Sequence, residues 1–477
     1  MQQRWQNYID GSWVDAAEGG EIEIENPATG KVFASIARGG VADIDLAVAA
    51  ARRAVNTRAL YQMSPFDRGV LLSRIAAALR ELGDTIVPVI VAENGKSVSF
   101  AKDEVDDAAR YFDYYAGLAG KLHGRSIPLG DGFVDYTQLV PYGVTAHIIP
   151  WNFPLEMAGR DIAPALACGN AVVAKSPELS PLMLTFLARA CEKAGLPKGY
   201  LNVVCGYGNE AGEALAKHPD VDHVTFTGSV ATGRRVAQNA AANIVPCVLE
   251  LGGKGAGIVY ADADLDRTAH SAGIGIFAYA GQICSAGSRL VVHDSVHDQL
   301  VDKIAAWVKQ RTMGPGEEDH FFTPLISGPQ RDKAENYCQV AIQQGATAVI
   351  GGRRPSDLPG FYLQPTILTD VKTEHRVNAE EVFGPVLSVL KFKEPEEAIA
   401  IANGTDYGLT AGVYTTDLKR AHWTADRLDA GAVYVNKWFA GGGETPFGGF
   451  KRSGYGRVKS TEGIGNYSQI RNVAIQL

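Results

Sequence analysis

Hydrophobic residues recur at helical spacing through the first third of the chain, which is therefore predicted to be mainly helical. The clearest repeat consists of Val70, Leu71, Ile75, Leu79 and Leu82. Just before it, Ser64 is suited to cap a helix, Pro65 to occupy its first turn and Asp67 to face the positive end of its dipole. A second long helix is predicted over residues 97–120.

The pattern changes near Asp135, where short apolar runs begin to alternate with amphipathic segments. Strands are predicted over residues 140–149, 170–175, 201–205, 222–227 and 246–251. Helices are predicted between them, over residues 180–194, 209–217 and 230–241. Strands that alternate with helices form crossover units and a mostly parallel sheet, which indicates a doubly wound α/β fold. A second alternation from Ala256 past Tyr434 predicts another unit of this kind.

Composition and charge exclude several classes of protein. The 477 residues are 46% hydrophobic and 21% charged, with a formal net charge of −8, which is typical of a soluble globular protein and gives no reason to expect nucleic-acid binding. The polar, aromatic start lacks the apolar run of a secretion signal. Residues 271–288 carry little charge but are interrupted by Gly, Gln and Ser, so no membrane span is expected.

The six cysteines and ten histidines show no spacing that is typical of metal ligands or of a disulfide framework. No metal site is therefore expected, and a reducing cytoplasm is the predicted location.

Three residues carry the candidate chemistry. Cys284 stands among small residues in GQICSAGSR, where a carbonyl compound and a flat ring can approach its sulfur. Glu250 lies in VLELGGKGAG and Asn152 in IIPWNFPLEM. A thiol can attack an acyl carbon, an amide can stabilise the resulting oxyanion, and a carboxylate can activate water. The alternatives are a buried structural cysteine, a carboxylate paired with Lys254 and an asparagine that caps the next helix.

Seven segments in fixed order make the chain similar to the NAD(P)-dependent aldehyde dehydrogenase superfamily over nearly its whole length. They are PWNFP at 150–154, KSPE at 175–178, FTGS at 226–229, ELGGK at 250–254, GQIC at 281–284, EVFGP at 381–385 and PFGGFKRSG at 446–454. The resemblance implies an α/β fold with two doubly wound domains and a small β oligomerisation arm. The NAD-binding domain is expected at residues 1–120 and 141–251 and the catalytic domain at 252–455. Bridging strands are expected at 121–140 and 456–477, in a homodimer or homotetramer.

The cofactor site lacks the usual G-x-G-x-x-G fingerprint, and FTGSVATG is its nearest substitute, with a helix N-terminus suited to phosphate. The resemblance places Lys175 and Glu178 on the adenosine ribose, which favours NAD, with NADP as the alternative. It places Glu381 and Phe383 on the nicotinamide ribose and Ser229 near the pyrophosphate. The remaining predicted cofactor residues are Ile149, Pro150, Trp151, Gly208, Phe226, Gly228 and Leu251.

The implied reaction is oxidation of an aldehyde to the free acid through a thiohemiacetal and a thioester on Cys284. Glu250 activates the hydrolytic water, and burial is expected to raise its pKa. Relatives that transfer the acyl group to coenzyme A do not need this base.

The sequence departs from the family pattern at one position. Val458 follows Gly456-Arg457 where many relatives carry a glutamate, so the role of that acid in proton relay does not apply here.

The predicted substrate pocket is mostly aromatic and apolar, which favours aromatic or apolar aldehydes. Its residues are Phe153, Met157, Arg160, Ile283, Ser285, Trp438, Phe439 and Phe447. The alternative is a semialdehyde dehydrogenase in which Arg160 binds a substrate carboxylate, although Ala278 stands where such enzymes have a second arginine. Arg160 paired with Glu156 or Asp161 in a structural ion pair is equally compatible with the sequence. An inactive structural protein and a coenzyme A-dependent enzyme are the competing functions.

Overall fold

The computed structural model describes residues 3–477, which form two large sheets, three small sheets and the helices packed on them. The strands up to residue 251 are β1 (Gln3–Trp5), β2 (Asn7–Ile9), β3 (Ser12–Val14), β4 (Glu21–Asn26), β5 (Lys31–Ala37), β6 (Ser126–Ile127), β7 (Phe133–Pro141), β8 (Val144–Ile148), β9 (Ala171–Ser176), β10 (Leu201–Cys205), β11 (His223–Gly228) and β12 (Cys247–Leu251). The helices in this part are α1 (Val41–Thr57), α2 (Ala59–Gln62), α3 (Pro65–Glu81), α4 (Gly83–Asn94), α5 (Val98–Leu118), α6 (Pro154–Cys168), α7 (Leu182–Ala194), α8 (Glu213–Ala216) and α9 (Val230–Ala242).

The second part of the chain repeats this alternation of strands and helices. Its strands are β13 (Ala256–Val259), β14 (Arg289–His293), β15 (Thr347–Ile350), β16 (Thr366–Thr369), β17 (Val386–Phe392), β18 (Tyr407–Gly408), β19 (Thr410–Tyr414), β20 (Ala432–Val435), β21 (Phe450–Lys451), β22 (Gly454–Tyr455) and β23 (Ser468–Gln476). Its helices are α10 (Leu265–Phe277), α11 (His297–Lys309), α12 (Gly328–Gln343), α13 (Arg376–Ala379), α14 (Pro395–Asn403), α15 (Leu418–Ala425) and α16 (Ser460–Gly465).

The first large sheet has the strand order β22-β12-β11-β8-β9-β10-β2-β3. Its five central strands, β12 to β10, are parallel, and antiparallel strands close both edges. From β8 the chain proceeds to β9 and β10 on one side and then crosses to β11 and β12 on the other. The strand order therefore reverses between β8 and β11, which is where ligands bind in open α/β sheets.

The second large sheet has the order β15-β16-β17-β14-β13-β19-β20, parallel except for the edge strand β15. The two doubly wound α/β units expected from the sequence are thus present. A small antiparallel sheet is formed by β6, β7 and β23, which lie in or next to the two segments where bridging strands are expected.

The prediction that the first third is helical is wrong for residues 3–37, which form five strands. In β4, Ile22 and Ile24 are buried while Glu21, Glu23 and Glu25 are exposed. This alternation has the period of a strand with one buried face, and the helical repeats further along the chain obscured it.

The helices that follow agree with the prediction. α3 begins at Pro65, and the Ser64 hydroxyl accepts a hydrogen bond from the Asp67 amide at 3.1 Å. α5 covers Val98–Leu118, within the range predicted for the second long helix. Among the described residues, no helix is both long enough and apolar enough to cross a membrane.

Apolar side chains collect in separate cores that follow the two sheets. One large core draws its residues from 5–251 together with Ile464 and Tyr467, whereas three smaller cores draw theirs from residues 256–438. We propose that each large sheet with its helices is one domain. Gly454 and Tyr455 pair with β12 of the first sheet, although the predicted catalytic domain includes them.

Candidate active site

The candidate site lies where the parallel strands of the first sheet end. Ile149 to Asn152 follow β8, Glu178 follows β9, Ser229 follows β11, and Glu250 lies near the end of β12. Because these strands are parallel, their carboxyl ends share one edge of the sheet and bring the four segments together.

Two adjoining cavities, of about 390 and 190 Å³, form a groove along this edge. The larger is lined by nine predicted cofactor residues, which are Ile149, Pro150, Trp151, Lys175, Glu178, Gly208, Phe226, Gly228 and Ser229. The smaller shares four of these and adds Leu251, Glu381 and Phe383. All twelve residues predicted to bind the cofactor therefore line one continuous groove.

The wider part of the groove combines a helix N-terminus with a charged pair. The Ser229 hydroxyl caps α9 by accepting a hydrogen bond from the Thr232 amide at 3.3 Å, so the first turn of α9 faces the groove. Lys175 is buried and its ammonium group lies 2.7 Å from the Glu178 carboxylate. A helix N-terminus favours an anion, and a carboxylate accepts hydrogen bonds from hydroxyl groups.

The narrower part of the groove is shaped by Glu381 and two aromatic rings. The Glu381 carboxylate accepts a hydrogen bond from the Gly253 amide at 2.9 Å. It also lies so close to Gly252 that a Cβ on this residue would collide with it. Trp151 and Phe383 meet edge to face, with ring centroids 5.4 Å apart. These contacts join the first sheet to the segment that precedes β17.

Cys284 lies on a loop between α10 and β14 that follows an unusually tight turn. Tyr279, Ala280 and Gly281 have φ values of 45°, 51° and 70°, in the left-handed region. A Cβ at Gly281 would collide with the backbone of Gly384, so this position requires glycine. Surrounding protein raises the pKa of the Cys284 thiol to about 12, first through burial and then through the nearby Glu250 carboxylate.

Asn152 lies opposite this loop and is almost fully buried. Its side-chain amide donates to the Gln282 carbonyl at 3.0 Å, which ties the β8 loop to the thiol loop. The amide keeps a second N–H for another acceptor. Asn152 does not cap α6, since Phe153 is the N-cap residue there, so the interpretation of Asn152 as a simple cap is wrong.

Glu250 is 2% exposed, and burial raises the pKa of its carboxyl to about 8. Neither carboxylate oxygen has a hydrogen-bond partner among the described residues. Its predicted alternative partner, Lys254, is likewise buried without a hydrogen bond in the part of the chain that is described. The structure therefore does not contain the Glu250–Lys254 pair, and Glu250 faces the 190 Å³ cavity with Asn152 and Cys284.

A third cavity of about 610 Å³ reaches Cys284 from the other side. Seven of the predicted substrate residues line it, namely Phe153, Met157, Arg160, Ile283, Ser285, Phe439 and Phe447. Trp438 does not line it, which corrects the prediction. The Trp438 indole is 3% exposed and donates to the Ser285 carbonyl at 2.8 Å, and it packs against glycines of the second sheet.

Arg160 is buried in this wall, with an ion pair of its own. Two of its nitrogens donate to the two carboxylate oxygens of Asp161 at 2.8 and 3.0 Å. A further bond reaches the Thr227 hydroxyl at 2.7 Å. Of the two structural pairs considered from the sequence, the structure contains the one with Asp161.

Sequence reasoning missed several charged residues in these cavities. Asp103, Asp107 and Glu156 line the 610 Å³ cavity together with Lys459, and Lys333 lines the groove beside Cys284. These residues lie on helices or loops far apart in sequence, and the charges of α5 are typical of a solvated helix face. Burial and the neighbouring Glu156 raise the pKa of Asp107 to about 6, which reflects the crowding of carboxylates.

We call the 610 Å³ cavity the tunnel. Cys284 lines both the groove and this tunnel. In the groove, the thiol of Cys284 shares one cavity with the amide donor of Asn152 and the carboxyl of Glu250, whose pKa is raised. Such a site belongs to an enzyme that performs covalent chemistry on a carbonyl group.

The chain belongs to the aldehyde dehydrogenase family. The model of this family matches residues 13–473. An aldehyde dehydrogenase of Aspergillus niger is 40% identical over 472 residues, which covers 98% of this chain and 95% of the relative. A mitochondrial benzaldehyde dehydrogenase of Antirrhinum majus is 41% identical over 476 residues and covers 98% of this chain and 88% of the relative.

A solved structure has nearly the same fold. The NAD⁺ complex of an aldehyde dehydrogenase from Bacillus cereus superposes with a TM-score of 0.97 at 37% identity, covering 100% of this chain and 97% of that one. The two-unit α/β fold expected from the sequence is thus confirmed, and the protein is an aldehyde-oxidising enzyme by family.

Proposed function

We propose that the protein oxidises an aldehyde to the free carboxylic acid with NAD as the electron acceptor. The observation that carries this proposal is the position of Cys284, which lines both the cofactor-sized groove and the separate tunnel. A carbonyl carbon that enters through the tunnel can thus meet the sulfur while a second molecule occupies the groove.

The groove residues fit a dinucleotide. The N-terminus of α9 suits a pyrophosphate, Glu178 suits the hydroxyls of an adenosine ribose, and Glu381 suits those of the second ribose. A carboxylate at Glu178 repels a 2′-phosphate, which favours NAD over NADP. When bound, NAD supplies the acceptor for the hydride that leaves the substrate carbon. The NAD⁺ complex of the Bacillus cereus relative supports this assignment.

In the first half of the reaction, the Cys284 thiol passes its proton to water, and its sulfur forms a bond to the aldehyde carbon. The carbonyl π electrons move to oxygen, and the free N–H of the Asn152 side chain stabilises that charge together with the Cys284 backbone amide. Collapse of the oxyanion would re-form the carbonyl group, pass hydride to the acceptor that NAD supplies when bound, and leave a thioester on Cys284.

In the second half, Glu250 takes a proton from water, and the resulting hydroxide attacks the thioester carbon. The carbon–sulfur bond breaks, and the carboxylic acid leaves. A carboxyl group with a pKa of about 8 is a stronger base than an ordinary glutamate once it is ionised. Because this base is present in a buried position beside the sulfur, release to water is favoured over transfer to coenzyme A.

The tunnel supports uncharged aromatic or apolar aldehydes as substrates, because Phe153, Phe439 and Phe447 contribute much of its apolar wall. The relative from Antirrhinum majus is a benzaldehyde dehydrogenase, which agrees with this choice. A substrate carboxylate is disfavoured because Arg160 already binds Asp161 and the same wall carries Asp107 and Glu156.

The test compares three variants in an NADH absorbance assay with benzaldehyde and without coenzyme A. Cys284→Ser should abolish NADH formation, including the first turnover. Glu250→Gln should retain a burst of one NADH per site and lose steady turnover. Cys247→Ser, which alters a half-buried thiol bonded to the Tyr455 hydroxyl, should behave as the unaltered enzyme. Normal turnover in Cys284→Ser, or a requirement for coenzyme A, would contradict the proposal.

We also propose a cytoplasmic homodimer or homotetramer. All six cysteines are free thiols, which suits a reducing compartment. The strand β23 leaves one edge of its small sheet unpaired and exposes Ile470 and Ile475, which suits pairing with another subunit.

A further inference from the structure

The buried arginine of the tunnel wall exerts an electrostatic effect on both Glu250 and Cys284. Arg160 is 1% exposed and is held on two sides, by Asp161 on its own helix and by the Thr227 hydroxyl on β11. With three hydrogen bonds in a fixed geometry, the guanidinium has no freedom to follow a substrate into the tunnel.

Thr227 connects this guanidinium to Glu250. The two residues are register partners on the adjacent parallel strands β11 and β12. Partners of this kind lie about 5 Å apart and project their side chains from the same face of the sheet. The guanidinium that binds Thr227 is therefore fixed on the face from which the Glu250 carboxylate projects.

The other charged and titratable groups that face Glu250 come from two loops. Cys284 approaches from the thiol loop, and Arg457 and Lys459 approach from the segment after β22. Arg457 donates to the backbone carbonyls of Gly449 and Gly456, and the Lys459 ammonium lies over the Phe447 ring at 5.4 Å. Val458, between them, is buried and contributes no charge.

We propose that Arg160 is a positioning residue for Glu250, that it favours the ionised form of the base carboxylate against the effect of burial, and that Asp161 limits this effect. The inference rests on the proposed function, since it assigns a partner to the base of the hydrolytic step. It replaces the interpretation of Arg160 as a clamp for a substrate carboxylate.

The charges of Arg160 and Asp161 shift the pKa of Glu250 in opposite directions, and both are needed for Glu250 to act as a base. Among the groups around Glu250, Arg160 exerts the largest lowering effect on its pKa, while Asp161 raises it. With no counter-charge, a buried guanidinium would lower the pKa of Glu250 and weaken it as a base. Without the guanidinium, burial would favour the protonated carboxyl still more strongly, and a smaller fraction of Glu250 could accept a proton from water near neutral pH.

The decisive experiment measures the steady-state kcat of benzaldehyde oxidation between pH 6 and 10, together with the NADH burst. Arg160→Gln should shift the rising limb of the kcat profile to higher pH by about one unit and lower kcat at pH 7 by about tenfold. Asp161→Asn should shift the same limb to lower pH. Opposite shifts from two adjacent substitutions are not expected from general damage to the fold.

Two further variants serve as controls for the loss of stability that an unpaired buried charge causes. Arg160→Gln combined with Asp161→Asn leaves no such charge. The rising limb of its kcat profile should lie at higher pH than that of the unaltered enzyme, because Arg160 affects the pKa of Glu250 more than Asp161 does. Arg160→Lys keeps the positive charge and should restore most of the normal profile. An unshifted limb in the double variant would overturn the proposal.

The same assays separate the failure of this inference from that of the proposed function. If the NADH burst persists and Arg160→Gln changes only the KM of an anionic aldehyde, Arg160 is a substrate clamp and the positioning role is wrong. If the unaltered enzyme itself gives no burst and no turnover without coenzyme A, the proposed function fails first.

Discussion

At the scale of single residues, the proposed chemistry depends on side chains whose properties are changed by burial. The thiol of Cys284 and the carboxyl of Glu250 both have raised pKa values, to about 12 and about 8, because protein replaces water around them. The neutral form of each is therefore favoured at rest, and nearby donors and cations must stabilise the charged form during the reaction.

This burial predicts the pH dependence of the enzyme. Below a pKa of about 8 the Glu250 carboxyl is mostly protonated, and a protonated carboxyl cannot activate water. Steady-state kcat should therefore rise with pH, reach half its plateau near pH 8 and level off above that, while the NADH burst amplitude stays constant. A rising limb centred near pH 4.5, the ordinary pKa of glutamate, would contradict the assignment.

Asn152→Ala tests the oxyanion donor. Loss of one such donor costs about 3–4 kcal/mol of transition-state stabilisation, so kcat should fall by about 10²–10³-fold. The KM for NAD should change little, because Asn152 faces the sulfur. Asn170→Ala is a poor control because it removes buried backbone contacts, whereas Asn209→Ala alters an asparagine at the far end of the groove and should retain the normal kcat.

The tunnel charges predict a preference among aldehydes. Benzaldehyde should be oxidised with a kcat/KM at least about tenfold higher than succinate semialdehyde, since a second carboxylate meets Asp107 and Glu156 and finds Arg160 already paired. Measurement of both substrates in one NADH assay checks this. Equal values, or a loss in Arg160→Ala that is confined to succinate semialdehyde, would favour the semialdehyde function.

At the scale of secondary-structure elements, the first sheet carries two histidines on neighbouring strands. His147 on β8 and His223 on β11 are buried, and burial lowers the pKa of each ring to about 3. Both pack against the Tyr467 ring near the C-terminus of the chain. These rings stay neutral in the folded protein at pH values where the unfolded chain binds protons.

The folded protein should therefore lose stability in mild acid. Because the pKa of each ring falls from 6.5 to about 3 on folding, stability is lost as the pH drops through this window. Each ring should remove about 2 kcal/mol of unfolding free energy between pH 7 and pH 5. Urea titrations at the two pH values check this: His147→Asn should reduce the difference, and the exposed His123→Asn should leave it unchanged.

At the scale of the whole molecule, the small antiparallel sheet stands apart from the two large ones. β23 pairs with β7 over nine residues, from Ser468 with Pro141 to Gln476 with Phe133. Its other edge is free, and Ile470 is 65% exposed. An exposed apolar edge of this kind favours association with another copy of the chain.

If the proposed oligomer forms through this edge, removal of β23 should yield single chains. Light scattering should show a multiple of the 50.9 kDa chain for the intact protein and mostly single chains after deletion of residues 468–477 or after Ile470→Asp. The control is Leu418→Asp, which places the same charge at an exposed position on α15. A monomeric intact protein would contradict the proposed arm.

The amino-acid sequence by itself determined the family, the order of most strands and helices, and the residues of the groove, because strand period, capping residues and seven short motifs are local properties. It did not reveal the strands of residues 3–37, the core position of Trp438 or the acidic wall of the tunnel. Only the tertiary structure decided that Arg160 pairs with Asp161 and is bound on the face of the sheet from which Glu250 projects, because strand register brings Thr227 and Glu250 together from separate segments. Burial, which raises the pKa of Glu250, likewise arises only when distant segments pack around it.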